Sequence, residues 1–280
     1  MTEGSDDSSD QSSFSDGVDP WLRRLGNVRN VVRQEMVARQ LASHLEQRAR
    51  VLDVGAGQGT QAIRLARLGH EVTCVEPDPA MRDAFSDSVA PLAGSVRARL
   101  TLHDAALGTL DQVLAGRTFE AVLCHGVLMY LPASEPAVRE LASLVTRGGL
   151  LSLVTRNAEA IPWRPALRAQ WEGSLAGFDE LDAAEHDGRD ATYVNELGVR
   201  ARADRLADLV SSIERHGLQL EEWYGVRVAS DRFPVDEPLP PQVELAALLD
   251  VEERLGRRDP YRGLGTLMHL IGRRPTFDGA

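Results

Sequence analysis

Residues 50–78 read RVLDVGAGQGTQAIRLARLGHEVTCVEPD, and no other stretch limits the fold as tightly. The apolar run VLDV leads into Gly55, Gly57 and Gly59. Glycine reaches backbone angles that other residues avoid, so this cluster marks a tight turn from a buried strand into a helix. The run GTQAIRLARLG then has helical apolar spacing and stops at Gly69, and EVTCV forms a second strand ending on Glu76. Two buried strands joined through a helix argue a parallel pair, since parallel strands need such a crossover.

The alternation continues. PAMRDAFSDSVAP predicts a helix, ARLTLHD a strand, residues 108–115 a short helix and FEAVLCHG a strand. SEPAVRELASLVTRGG predicts a helix opened by Ser134 and closed by Gly148, and LLSLVTRN a strand. Strands apolar on both faces and separated by helices predict an α/β fold: a doubly wound, mostly parallel sheet with flanking helices. An N-terminal helix is expected over residues 30–45. Residues 158–201 break the alternation, with Trp, Pro and Gly, weak periodicity and an acidic centre, and read as a cap or lid inserted after the core. A helix over about 202–215, the run LQLEEWYGVRVAS, a helix over about 240–255 and the strand GTLMHLIGRR follow.

The loop chemistry narrows the ligand. A dinucleotide loop spaces its glycines GxGxxG and lays a pyrophosphate on the helix N-terminus. Here the spacing is GxGxG, and Asp53 stands just before it. A carboxylate there repels a pyrophosphate and suits a ligand that is cationic at that point. S-adenosylmethionine, with an ammonium and a sulfonium, is such a ligand. Glu76, ending the second strand, is placed to accept from two ribose hydroxyls.

At these residues the chain resembles the class I S-adenosylmethionine-dependent methyltransferases, whose core is Rossmann-like. VLDVGAGQGT, VTCVEPD, LHDAA, FEAVLCHGVLMYL and LVTRGGLLSLVTRN follow that family's motifs in order over roughly residues 48–157. The resemblance implies that Asp53, Gly55, Ala56 and Gly57 meet the amino-acid end of the methyl donor, Glu76 its ribose, and Asp104, Ala105 and Ala106 its adenine edge. It places His125 against the cofactor and the transfer site, as a candidate catalytic residue.

RNVVRQEMV, HGVLMYLPAS, LSLVTRNA, WYGVRVASD and LLDVEERLGRRDPYRGLGTLMHLIGRRP extend the resemblance along the chain. They look like the bacterial tRNA methyltransferases that form the methyl ester of 5-carboxymethoxyuridine at the wobble position. That match implies that Arg33 reaches the cofactor carboxylate. A carboxylate acceptor is ionised at neutral pH and needs positioning by a cation, not a general base. Arg156, Arg227 and Arg262, with Tyr130, Asn157, Trp223 and Tyr261 as walls, are the candidate acceptor-binding residues.

Charge points elsewhere. The net charge is -11, and residues 1–19 hold six acids and no base. That segment is too poor in apolar side chains to order itself and is expected to be a disordered acidic tail. The lid carries DELDAAEHDGRD at 179–190, which opposes the phosphate attraction behind most nucleic-acid affinity. Two acceptors therefore stay open, a tRNA anticodon loop or a small molecule, and a hydroxyl acceptor would need His125 as base. A module that binds the cofactor without catalysis is a third reading. The tRNA reading expects Arg227 and its neighbours to form a basic surface. Cys74 and Cys124 lie in apolar runs with no CxxC or HxxxH, so neither a disulfide nor a metal site is expected. The N-terminus lacks the pattern of a signal peptide and no apolar run spans a bilayer, so the chain is expected to be cytoplasmic. The methyltransferase domain is expected over 20–280, with its core at about 48–157, the lid at about 158–201 and acceptor-side elements over 202–280.

Overall fold

The computed structural model describes residues 26–195 and 198–276, so the tail expected over 1–19 lies outside the described residues. Helix α1 (Val28–Ala42) precedes β1 (Arg50–Val54), α2 (Thr60–Leu68), β2 (Glu71–Val75), α3 (Pro79–Val89), α4 (Gly94–Arg97) and β3 (Leu100–His103). Then come α5 (Leu110–Leu114), β4 (Phe119–His125), α6 (Glu135–Ser143) and β5 (Val145–Arg156). After these lie α7 (Ala160–Ala166), α8 (Trp171–Asp187), a hairpin of β6 (Ala191–Val194) and β7 (Arg200–Ala203), α9 (Leu206–Arg215), β8 (Gln219–Val226), α10 (Gln242–Gly256) and β9 (Leu267–Arg273).

The main sheet has seven strands in the order β3-β2-β1-β4-β5-β9-β8. The first five run parallel, and β9 runs against both β5 and β8. Strands β1, β2 and β3 step outward one way, and the chain then crosses to place β4 on the other side of β1. That reversal leaves a crevice at the carboxyl ends of β1 and β4, where ligands of open α/β sheets bind.

Local chemistry explains the elements nearest the crevice. Asn27 caps α1, its side chain accepting from Asn30 N at 2.8 Å, and Asp78 caps α3 with Pro79 in its first turn. One core cluster packs Leu52, Val54, Val122, Cys124, Leu151 and Leu153 against α5, α6 and α9. On the other face, Val51, Leu123, Leu150 and Ile271 meet α1 and α2. Both cysteines are free and buried.

Several elements differ from the sequence reading, among them the N-terminal helix, which ends at Ala42 and not near residue 45. The helix expected to run to Gly148 stops at Ser143, because Val145 already pairs with Phe119 and a register shift follows before Leu150 pairs with Ala121. The helix expected from 202 begins at Leu206. Residues 200–203 pair instead with β6, burying Ala201 and Ala203. Within the weakly periodic stretch lies α8, whose Trp171, Leu175 and Phe178 are exposed while Ser174, Gly177, Leu181 and Ala184 face inward, so its largest apolar residues do not mark the core-facing stripe.

Candidate functional site

A cavity of about 370 Å³ opens at the crevice. The β1–α2 turn forms its floor. Gly55, Gly57 and Gly59 hold φ of 74°, 55° and 85°. A Cβ on Gly55 would stand 2.3 Å from Val127 Cγ2, and one on Gly59 2.8 Å from the Phe85 ring. On Gly57 it would meet nothing within 4 Å, so this backbone is bare on its outer side. The glycines thus allow close packing at two positions and an open approach at the third.

Asp53, Glu76 and Arg33 line the same cavity. Glu76 ties the loop together: Gly57 N donates to Oε2 at 2.8 Å and Asp78 N to Oε1 at 3.0 Å. Burial raises the Glu76 carboxyl above its ordinary range, against the pull of these two amides. Asp53 is 3% exposed. Burial first, then the Glu76 charge, pushes it up to about 7. Arg33, from α1, is lowered to about 10 by burial and by Arg227.

His125 ends a buried chain across three strands. Its Nε2 is 2.8 Å from Ser152 Oγ, which is 2.8 Å from His269 Nε2, and His269 Nδ1 is 2.8 Å from Gln40 Oε1. Gln40 Oε1 accepts, so His269 donates from Nδ1, Ser152 donates to His269, and His125 donates from Nε2. His125 Nδ1 is then a lone pair, buried and without a hydrogen-bond partner among the described residues. Burial and then Arg33 push His125 down to about 3. Such a neutral imidazole is a weak base, which counts against the base role expected for a hydroxyl acceptor.

The other wall is aromatic and cationic, with Met129, Tyr130, Arg156, Arg164, Tyr193, Asn195 and Arg227. The Arg156 guanidinium lies over the Tyr193 ring at 4.6 Å. Among the described residues its Nη2 makes a long contact, 3.5 Å to Ala160 O, and its Nε has no hydrogen-bond partner. Asn195 Nδ2 donates to Tyr130 Oη at 3.1 Å, joining the lid hairpin to the turn after β4. Arg227 is 8% exposed and donates to Asp231, so it forms no basic surface. The exposed side of α8 carries Glu172, Asp179, Asp182, Glu185 and Asp187.

Ten of the residues singled out by sequence line the cavity: Arg33, Asp53, Gly55, Ala56, Gly57, Glu76, His125, Tyr130, Arg156 and Arg227. Asp104, Ala105 and Ala106 do not. Asp104 is exposed and paired with Arg82, which also donates to Glu76 O, so it sits beside the Glu76 edge. Asn157 is a structural residue, donating at 2.9 Å to both Gly263 O and Gly265 O. Trp223 pairs in register with Leu270 and packs on the core face of the sheet, opposite α1. Arg262 covers that ring at 4.3 Å and pairs with Asp259 and Glu222, while Tyr261 projects from the neighbouring turn. These three therefore stand away from the cavity. Arg164, Tyr193 and Asn195 were not singled out; the lid segment has no periodicity to mark them.

Residues 52–153 match a family described as a methyltransferase domain. The tRNA 5-carboxymethoxyuridine methyltransferase of Escherichia coli K12 is 28% identical over 269 residues, covering 94% of this chain and 96% of that protein. A ubiquinone biosynthesis O-methyltransferase of Xanthomonas campestris is 33% identical over 130 residues, covering 46% of this chain and 50% of that one. In fold, the chain is similar to magnesium protoporphyrin IX methyltransferase from Synechocystis with bound S-adenosylhomocysteine. The TM-score is 0.58 at 18% identity, over 94% of this chain and 97% of that one. No helix among the described residues is long and apolar enough to cross a membrane.

Proposed function

Starting from the chain as an S-adenosylmethionine-dependent methyltransferase, we propose that it methylates a carboxylate oxygen, with the 5-carboxymethoxy group of a tRNA wobble uridine as acceptor. One observation carries the choice of a carboxylate. Arg156 is buried on the cavity wall with its guanidinium stacked on Tyr193 and, among the described residues, a long hydrogen bond to Ala160 O and an unpartnered Nε. A guanidinium so placed is flat, fixed and rich in donors, which suits a bidentate carboxylate.

The residues fit the methyl donor. Arg33 would take its carboxylate, Asp53 and the Gly55, Ala56 and Gly57 backbone its ammonium end, and Glu76 its ribose hydroxyls. Each Glu76 oxygen accepts one backbone N–H and keeps a lone pair for a hydroxyl. When bound, S-adenosylmethionine supplies a methyl group on a cationic sulfur. Arg156 holds the attacking oxygen in line, Tyr193 and Tyr130 wall off water, and no residue has to remove a proton. His125 acts as a neutral wall. Attack joins an anion to a cation and leaves both reacting groups neutral, so a wall of buried side chains favours it.

The full-length relative supports tRNA as carrier of the carboxylate. The buried position of Arg227 and the acids on α8 favour a second reading, a small carboxylic acid that enters the cavity whole. Incubation with labelled donor and two pools, undermethylated bulk tRNA and a small-metabolite extract, separates them. Label in the tRNA pool is expected; label confined to the metabolite pool would replace the carrier.

A further inference from the structure

The arginines at the acceptor end gather around one carboxylate that does not line the cavity. Asp231 is 1% exposed. Arg227 Nε donates to its Oδ1 at 2.7 Å and Arg29 Nε to the same oxygen at 3.2 Å. Arg164 Nε lies 3.1 Å from Oδ2, which also accepts from the Thr266 hydroxyl. Arg168 donates to the Asp231 carbonyl at 3.0 and 2.7 Å. Burial alone would raise the Asp231 carboxyl; Arg227, Arg164 and Arg29 outweigh it and hold the group well below its ordinary range.

A second buried acid fixes the loop. Glu252, on α10 and fully buried, accepts from Val228 N at 2.9 Å, Ala229 N at 3.0 Å and Ser230 N at 2.6 Å. These three amides lie between Arg227 and Asp231. Arg227 itself has a φ of 60°, a conformation that needs support from its surroundings in a residue with a side chain. Glu252 thus holds the turn that sets Arg227 and Asp231 in place.

Arg164 and Arg227 face the cavity, and Asp231 binds both from behind. Its charge offsets part of theirs and draws their guanidinium groups back, while Arg156 is left forward over Tyr193. A singly charged group then finds the Arg156 guanidinium with donors to give. A doubly charged group would need the two guanidinium groups that Asp231 restrains. We infer that Asp231 is a specificity-determining residue: it sets the acceptor end to take one carboxylate and to disfavour a doubly charged anion such as a sulfate or phosphate group. This rests on the carboxylate reading above. Glu252 is the positioning residue that makes the arrangement rigid.

Anion titration of the protein–S-adenosylhomocysteine mixture tests this, with acetate and sulfate at matched ionic strength and thermal stability as readout. Comparison with the wild type removes the general salt effect of sulfate. Asp231→Asn is expected to tighten sulfate by about tenfold while acetate changes by less than about threefold, since the lost charge acts more on the dianion. Asp231→Glu is expected to restore the wild-type ratio. Arg29→Gln, which removes a cation outside the cavity lining and leaves Asp231 less compensated, is expected to move the ratio the opposite way. Retained S-adenosylhomocysteine affinity reports a folded variant. An unchanged sulfate-to-acetate ratio in folded Asp231→Asn would overturn the inference. Should that variant not fold, an unchanged ratio in Arg29→Gln would overturn it. Failure of the carboxylate reading would appear separately, in the chemistry of the transferred methyl of the wild-type enzyme.

Discussion

Arg156→Gln will lower kcat/KM for methyl transfer from roughly thirtyfold to a few thousandfold while leaving S-adenosylmethionine affinity within about twofold. The range follows from the cost of truncating one partner of a buried charge pair, about 2–5 kcal/mol. Glutamine keeps the polarity and much of the length but loses the charge and the paired donors. Arg156 sits 4% exposed on the wall away from the glycine loop, so cofactor contacts are not removed with it. Turnover kinetics with undermethylated tRNA, the proposed acceptor, together with calorimetry for the cofactor, separate the two effects. An equal loss of cofactor affinity would show that Arg156 supports the cavity as a whole.

Asp53→Asn will weaken S-adenosylmethionine by roughly ten- to hundredfold, the loss of about 1.5–3 kcal/mol from one charged hydrogen bond. It will also flatten the pH dependence of binding. The sign follows from the carboxyl being raised to about 7 in the free protein. The cationic end of the donor favours the ionised carboxylate, so binding below that value must release a proton. Affinity of the wild type should therefore fall several-fold from about pH 7.5 to about pH 6 and level off above 7. Asparagine has no proton to release and should show a shallower fall. Calorimetry in two buffers of different ionisation enthalpy reads the proton directly. A wild-type affinity that is flat with pH would remove Asp53 from the ammonium end.

The glycine loop was legible because its chemistry is local. Gly55 and Gly59 are required by contacts with Val127 and Phe85, but their positive φ follows from the turn alone. The parallel core was legible for the same reason, strand by strand. The proposed acceptor end was legible only in part. Arg156 ends β5 and Arg227 follows β8, yet what holds Arg227 and Arg164 is Asp231, whose bond to Arg29 spans 202 positions of sequence. No local spacing reports such a pairing. Trp223 and Arg262 were aromatic and cationic near motif edges, but they cover each other, and strand parity turns Trp223 to the far face of the sheet. The lid helix α8 was hidden because Trp171, Leu175 and Phe178 point outward, while its core-facing side is mostly small: Ser174, Gly177 and Ala184 beside Leu181.

The chemical lability of the transferred methyl tests the central claim most directly. After reaction with labelled donor and undermethylated tRNA, mild alkali should release the label as volatile methanol, as an ester of a carboxylate requires. Label that stays on the nucleoside through the same treatment would mark an N- or ether-linked methyl and contradict the carboxylate site.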